Sequence, residues 1–221
     1  MSLATLPHPQ FGLLWLVAGV ALGGGIRAAN VQLARWEGLD PGRLGWQRWG
    51  PLVLTGLLFG VFGGRLGWGR LLLIQSLWVV VLVQIVFFDL EHRLILDRVL
   101  LPAAVMALAL SFFTPYLTWR TAIVSGLGCA LLFLVIYVVG GFVFKAEALG
   151  LGDVKFGALM GLVTGFPMIA FAVLSGVISA GVLALILVAV RVLTMKDGVA
   201  YGPYLALGTL LALFRLALAA P

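Results

Sequence analysis

The chain has 221 residues, of which 63% are hydrophobic and 10% are charged, and its formal net charge is +6. Soluble domains carry nearer to a quarter charged residues, so this composition excludes a protein whose whole surface meets water. The positive charge is better explained by the cytoplasmic basic residues of a membrane protein than by a nucleic-acid site.

Apolar runs of bilayer-crossing length, about 20 residues, recur from Phe11 to Ala220. Because the runs are continuous rather than alternating in polarity, they favour helices over a β-barrel. We predict an all-α, polytopic transmembrane helical bundle that forms one membrane domain over residues 1–221. Its eight predicted segments are 9–29, 50–64, 71–88, 98–113, 121–144, 154–165, 168–193 and 203–219. The second and sixth are short for a full crossing.

The one sizeable polar loop is predicted over residues 30–50, between the first two helices. If this loop is cytoplasmic, ten of the fourteen Lys and Arg residues lie inside, as the positive-inside rule requires. The N-terminus then lies outside, and all eight acidic residues fall on the cytoplasmic side. The polar chemistry is therefore expected at one membrane face.

Two aspartates stand at the ends of apolar segments. Asp89 could simply mark where a helix leaves lipid, and Asp153 could be a helix N-cap. Together they suggest more, because both lie at cytoplasmic ends of different helices and the fold can bring them together. Two close carboxylates share a proton, so one can activate water while the other protonates a carbonyl oxygen. This is aspartyl-protease chemistry, and it needs no metal or other cofactor.

Three motifs resemble one family. Gly150-Leu151-Gly152-Asp153 matches the GxGD signature of intramembrane aspartyl proteases, and its continuation over residues 154–161 resembles the type IV prepilin peptidase version. The stretch from Asp89 to Pro102 resembles that family's other catalytic segment, with Ile95 and Asp97 matching and Leu96 replacing a proline. Residues 201–208 are similar to the family's Pro-Phe-Gly-Pro-x-Leu-x-x-Gly, although Ala200 and Tyr201 replace its first two residues.

The resemblance implies a dyad of Asp89 and Asp153. It implies a prepilin or pseudopilin substrate whose short basic leader is cut at the cytoplasmic face of the inner membrane. Lys155 either helps to hold Asp153 ionised or is a basic anchor at the interface. Our hypothesis is that the loop glycines let the loop bend so that Asp153 swings toward Asp89, and let the substrate backbone pass close by. If their φ is positive, a Cβ at either glycine would disfavour the required backbone shape. The residues expected to support the substrate and loop are Gly150, Gly152, Lys155, Gly202 and Pro203.

The chain departs from bifunctional relatives in one respect. Those relatives carry paired Cys-x-x-Cys motifs in the loop after the first helix and also methylate the new N-terminus. Here the only cysteine is Cys129, so residues 30–50 hold no cysteine and a zinc site built from cysteines is impossible. Methylation is therefore doubtful. The alternatives are a peptidase for archaeal-type preflagellins, a small membrane transporter or channel, and a structural membrane subunit.

Other residues receive simpler interpretations. His92, with Glu91 and Arg93, is expected to be solvated loop charge rather than part of a metal site. The small residues of the apolar segments are expected to permit close helix packing, and examples are Gly157, Gly161 and Gly176.

Overall fold

The structure, a computed structural model, describes residues 9–144, 149–189 and 200–219. Within these ranges the chain forms eight α-helices and no strand, so the predicted fold class is confirmed. The helices are α1 (Pro9–Trp36), α2 (Gly45–Leu66), α3 (Arg70–His92), α4 (Asp97–Ser111), α5 (Trp119–Phe144), α6 (Leu151–Thr164), α7 (Met168–Ala189) and α8 (Gly202–Ala219). Part of the seventh predicted segment, residues 190–193, lies outside the described residues. So do five of the charged residues that the sequence places on the cytoplasmic side, namely Lys145, Glu147, Arg191, Lys196 and Asp197.

Six of these helices are long and apolar enough to cross a membrane, namely α1, α2, α3, α5, α7 and α8. The prediction that the sixth segment is short is confirmed, because α6 has 14 residues. The prediction that the second is short is wrong, because α2 has 22 residues and a mean hydropathy of 1.3. Helix α4, with 15 residues, is also shorter than a span.

The polar segment between α1 and α2 is shorter than the predicted loop over residues 30–50. Helix α1 continues to Trp36, and its last turns bury Asn30 and Ala34, so packing holds this polar stretch in helical form. Helix α2 begins at Gly45, where the Gln47 side-chain carbonyl accepts the Leu44 N–H at 2.7 Å. The connection without helix is therefore limited to residues 37–44.

The described residues form two compact units. The first takes its residues from Met1–Arg93, Thr114–Tyr116 and Leu213–Pro221. In it α1 and α2 pack closely, since a Cβ on Gly19 would lie 2.7 Å from the Phe59 Cβ. Helix α3 is the most buried of the six spans. Its polar side chains are paired inside the unit, because Ser76 accepts the Trp15 indole N–H at 2.8 Å and Gln75 donates to the Leu213 carbonyl at 3.2 Å.

The second unit comprises Leu94–Phe113 and the described part of Leu117–Ala212. Its helices approach each other at glycines, as predicted. A Cβ on Gly157 would lie 2.9 Å from the Phe133 ring, and one on Gly161 would strike the Ser125 carbonyl. At Gly176 the Tyr204 carbonyl would be 2.9 Å away. The single domain over residues 1–221 and the outside N-terminus stay predictions.

Candidate active site

Asp89 lies in the last turn of α3, in the first unit, and is 4% exposed. Its carbonyl accepts the Arg93 N–H at 2.8 Å, and Arg93 ends the helix in the left-handed conformation (φ 53°). A non-glycine residue with positive φ is uncommon, so α3 stops sharply. The carboxylate is thus held inside the protein at the very end of the helix.

A charged network involves the last two residues of α3, Glu91 and His92. The Arg27 Nη1 donates to both carboxylate oxygens of Glu91, at 2.9 and 3.2 Å, and its Nη2 donates to the Gly42 carbonyl. The Glu91 side chain is 2% exposed, and the His92 ring packs against Phe88 at 4.7 Å between centroids. The interpretation of Glu91 and His92 as solvated loop charge is wrong, because both lie within α3 and their side chains are only 2% and 10% exposed. This network ties residue 42 of the α1–α2 connection to the end of α3.

Sequence reasoning missed Arg27 as a partner of this network. A usable signal was present, since Arg27 interrupts a long apolar run in α1, and a charged residue in such a position needs a partner. The identity of that partner could not be read locally, because Glu91 is 64 residues away in sequence.

Asp153 lies in the first turn of α6, in the second unit, and is 9% exposed. Gly150 rather than Asp153 is the N-cap. The Gly150 N–H donates to Asp153 Oδ2 at 3.0 Å, and the Asp153 N–H donates back to the Gly150 carbonyl at 3.1 Å. Helix α6 is not one of the six spans. Burial raises the pKa of the Asp153 carboxyl above its ordinary value, and the hydrogen bond from Gly150 partly opposes that rise.

The two loop glycines do not have the expected backbone conformation. Gly150 has φ −87°, and the positive-φ glycines of the described chain are Gly38, Gly67 and Gly165. The condition of positive φ is therefore not met at these glycines, and the bending of the loop stays a prediction. What Gly152 provides is close approach, because a Cβ there would lie 3.2 Å from the Ile95 Cβ.

Lys155 does not pair with Asp153. Its ammonium donates to both carboxylate oxygens of Asp97, each at 2.7 Å. The two side chains are about half exposed, at 49% and 52%. This contact joins the first turn of α4 to α6, and the two roles expected for Lys155 stay predictions.

Gly202 and Pro203 form the start of α8. The N–H groups of Tyr204 and Leu205 both donate to the Tyr201 carbonyl at 3.1 Å. Because the first helical N–H groups have no partner within the helix, a proline in this turn sacrifices no bond. The Gly-Pro motif therefore serves as a helix start, and its role toward a substrate stays a prediction.

The structure assigns the two aspartates to different units. Each is described within its own unit, and the Asp89–Asp153 dyad stays a prediction. Within the second unit, three of the predicted residues lie together in one helix, and these are Gly152, Asp153 and Lys155.

Comparison with known proteins gives the family. Residues 76–185, about half of the chain, match the model of the Type IV leader peptidase family. A prepilin leader peptidase/N-methyltransferase from Myxococcus xanthus is 35% identical over 113 residues, which cover 50% of this chain and 34% of that protein. One of the same name from Aeromonas salmonicida is 28% identical over 167 residues, which cover 74% of this chain and 57% of that protein.

The chain thus spans between about a third and somewhat over half of the length of these curated relatives. No solved structure matches it. The matched residues 76–185 contain both Asp89 and Asp153. Together with the six apolar helices, these comparisons show that the chain is a multi-pass membrane protein and belongs to the type IV leader peptidase family.

Proposed function

We propose that this protein is an intramembrane aspartyl endopeptidase that removes the basic leader of type IV prepilins or pseudopilins, with Asp89 and Asp153 as its catalytic pair. One observation carries the proposal. Of the four aspartates that the structure describes, these two are buried, whereas Asp40 and Asp97 are exposed. Buried carboxylates are costly, and both stand in motifs that resemble those of the family's catalytic segments.

The proposed chemistry uses the two carboxyls in complementary states. The ionised aspartate takes a proton from water as the water oxygen attacks the scissile carbonyl carbon. The protonated aspartate donates its proton to the carbonyl oxygen, which gives a neutral tetrahedral diol. Collapse of the diol breaks the C–N bond as one diol hydroxyl re-forms the C=O bond and returns its proton to the second aspartate. The proton held by the first aspartate passes to the leaving nitrogen, so both carboxyls regain their starting states.

The substrate is proposed to approach from the cytoplasmic face of the inner membrane. The distribution of basic residues in the sequence supports this side, because the segments that carry Asp89 and Asp153 then face the cytoplasm with most of the Lys and Arg residues. The chain's other partner is the lipid bilayer, and no nucleic acid is involved.

The decisive test is cleavage of a prepilin by the purified protein in detergent. We expect Asp89→Asn and Asp153→Asn each to abolish cleavage, because residues that act as a unit fail together. Asp40→Asn is the matched control, since Asp40 is an exposed aspartate of the α1–α2 connection. Near-normal turnover by either buried-site variant would show that the residue is not catalytic. Loss of turnover counts as loss of catalysis only where Tm is not lowered.

We further propose that cleavage by this chain proceeds without methylation. Residues 30–50 contain no cysteine, so the zinc-linked part of that loop in bifunctional relatives has no counterpart here. Mass spectrometry of the processed pilin after incubation with S-adenosylmethionine tests this. The expected product has a free, unmethylated N-terminus, and a mass increase of one methyl group would contradict the proposal.

A further inference from the structure

The three-residue segment 95–97 contacts α6 on both sides of Asp153. Ile95 packs on Gly152, where a Cβ would lie 3.2 Å from its own Cβ, and Asp97 binds the Lys155 ammonium with both carboxylate oxygens at 2.7 Å. Gly152 immediately precedes Asp153, and Lys155 follows it by two residues. All of these residues belong to the second unit.

Both partners of the ion pair lie near the starts of helices. Asp97 is the first residue of α4, after Leu96, whose carbonyl accepts the N–H groups of Val99 and Leu100 at 3.0 Å. A carboxylate is favoured there by the helix dipole. Lys155 lies in the second turn of α6. The pair therefore joins two backbone segments of defined direction rather than two mobile side chains.

Stability does not account for this arrangement. The side chains are about half exposed, and exposed ion pairs contribute little to folding free energy because water screens them and ordering them costs entropy. What the pair does restrict is the rotation and displacement of the turn that carries Asp153. The hydrogen bonds within that turn are the two between Gly150 and Asp153 and the one from the Val154 N–H to the Gly150 carbonyl.

We propose that Asp97 is a positioning residue for Asp153: with Ile95 it clamps the first turns of α6 through Lys155 and so sets the direction of the Asp153 carboxylate. The inference rests on the proposed peptidase function. Reaction rates depend steeply on the placement of reacting groups. The clamp therefore acts on kcat, whereas substrate affinity is determined elsewhere.

The kinetic test breaks and then reverses the pair. Lys155→Met and Asp97→Ala should each lower kcat for prepilin cleavage by about tenfold or more, with KM within about twofold. Their Tm should fall by about 4 °C at most. Lys155→Arg should retain most activity, and the exchange Asp97→Lys with Lys155→Asp should restore at least about a third of it. Arg120→Gln, an exposed cation at the start of α5, is the control.

A second measurement does not depend on activity. Hydrogen exchange reports on the amides of Asp153 and Val154, which bond to the Gly150 carbonyl at 3.1 and 3.4 Å. In Lys155→Met these amides should exchange about fivefold faster or more, since local opening becomes easier. The corresponding amides of Tyr204 and Leu205, at the start of α8, should be unchanged.

The outcomes separate the two proposals. If the wild type cleaves and the exchange variant does not recover, or if Asp97→Ala cleaves at the wild-type rate, the clamp is overturned while the peptidase stands. If the wild type does not cleave prepilin, the proposed function fails. Hydrogen exchange then decides the clamp alone: faster exchange at Asp153 supports it, and unchanged exchange overturns it.

Discussion

Substitution of Gly152 by alanine tests the contact that brings the turn carrying Asp153 against segment 95–97. The new Cβ would lie 3.2 Å from Ile95 Cβ and 3.7 Å from both its Cγ1 and its carbonyl oxygen. Carbon atoms pack best at about 3.5–4.0 Å. The misfit is therefore about 0.3–0.8 Å, and it must be relieved by moving either Ile95 or the first turn of α6.

The effects on stability and on rate should differ. Alanine gains about 1 kcal/mol over glycine inside a helix, and overpacking costs about 1–3 kcal/mol. The net loss of stability is then between zero and about 2 kcal/mol. A displacement of 1 Å at a reacting group can cost about 100-fold in rate, so a shift of roughly half that size should slow cleavage by about tenfold.

Two other glycines provide the comparison. A Cβ on Gly157 would lie 2.9 Å from the Phe133 ring, so Gly157→Ala should lower stability by about 1–2 kcal/mol and leave the cleavage rate of folded protein within about twofold. Gly128, on α5, has no atom within 4 Å of its would-be Cβ. Gly128→Ala should therefore lower neither quantity.

The assay pairs the initial rate of prepilin cleavage with the Tm of each variant in the same detergent. The reasoning is refuted if Gly152→Ala cleaves at the wild-type rate, because the contact with Ile95 would then not position the turn. Equal rate losses in Gly152→Ala and Gly157→Ala would also refute it, because the loss would reflect general damage to helix packing.

The remaining predictions concern buried charge. Because the pKa of Asp153 is raised on folding, its ionisation lowers stability as pH rises from about 3.8 through the folded pKa. Asp153→Asn should therefore raise Tm at pH 7, and this gain in Tm should vanish toward pH 4. A gain in Tm that grows as the pH falls would contradict the direction of the pKa shift. Arg27→Met should destabilise the protein by about 3 kcal/mol, because it removes the cation paired with the buried Glu91 carboxylate. Arg35→Met, at an exposed site on the same helix, should change stability little, and Arg27→Met combined with Glu91→Met should recover most of the loss.

The number of helices could be read from the sequence because apolar runs separated by Gly, Pro and charged residues directly reflect spans. The ends of the helices could not be read in the same way. The polar residues after position 29 indicate a loop, yet α1 continues to Trp36 because Asn30 and Ala34 are buried by other helices. Tertiary packing overrides local pattern in such a stretch.

The candidate site shows the same division. Asp89 and Asp153 stand out locally, each at the end of an apolar run. Lys155 and Asp97, in contrast, are 58 residues apart, and no local pattern links them. The glycines of the loop were also ambiguous, since glycine serves both unusual backbone shapes and close approach. Only the positions of neighbouring atoms, here Ile95, distinguish the two uses.

The bond between the Gly150 N–H and Asp153 Oδ2 limits how the carboxylate can travel during turnover. Rotation of the Asp153 side chain about its own bonds breaks this hydrogen bond and leaves the Gly150 N–H without that partner, at a net cost of about 1 kcal/mol. Translation of residues 150–153 as one piece preserves the bond but slides Gly152 past Ile95. At about 1 kcal/mol the rotated form has a population of roughly one molecule in six, since 1.4 kcal/mol corresponds to tenfold. Oδ1 is not engaged by this bond, so the helix start and proton transfer can use different oxygens of the same carboxylate.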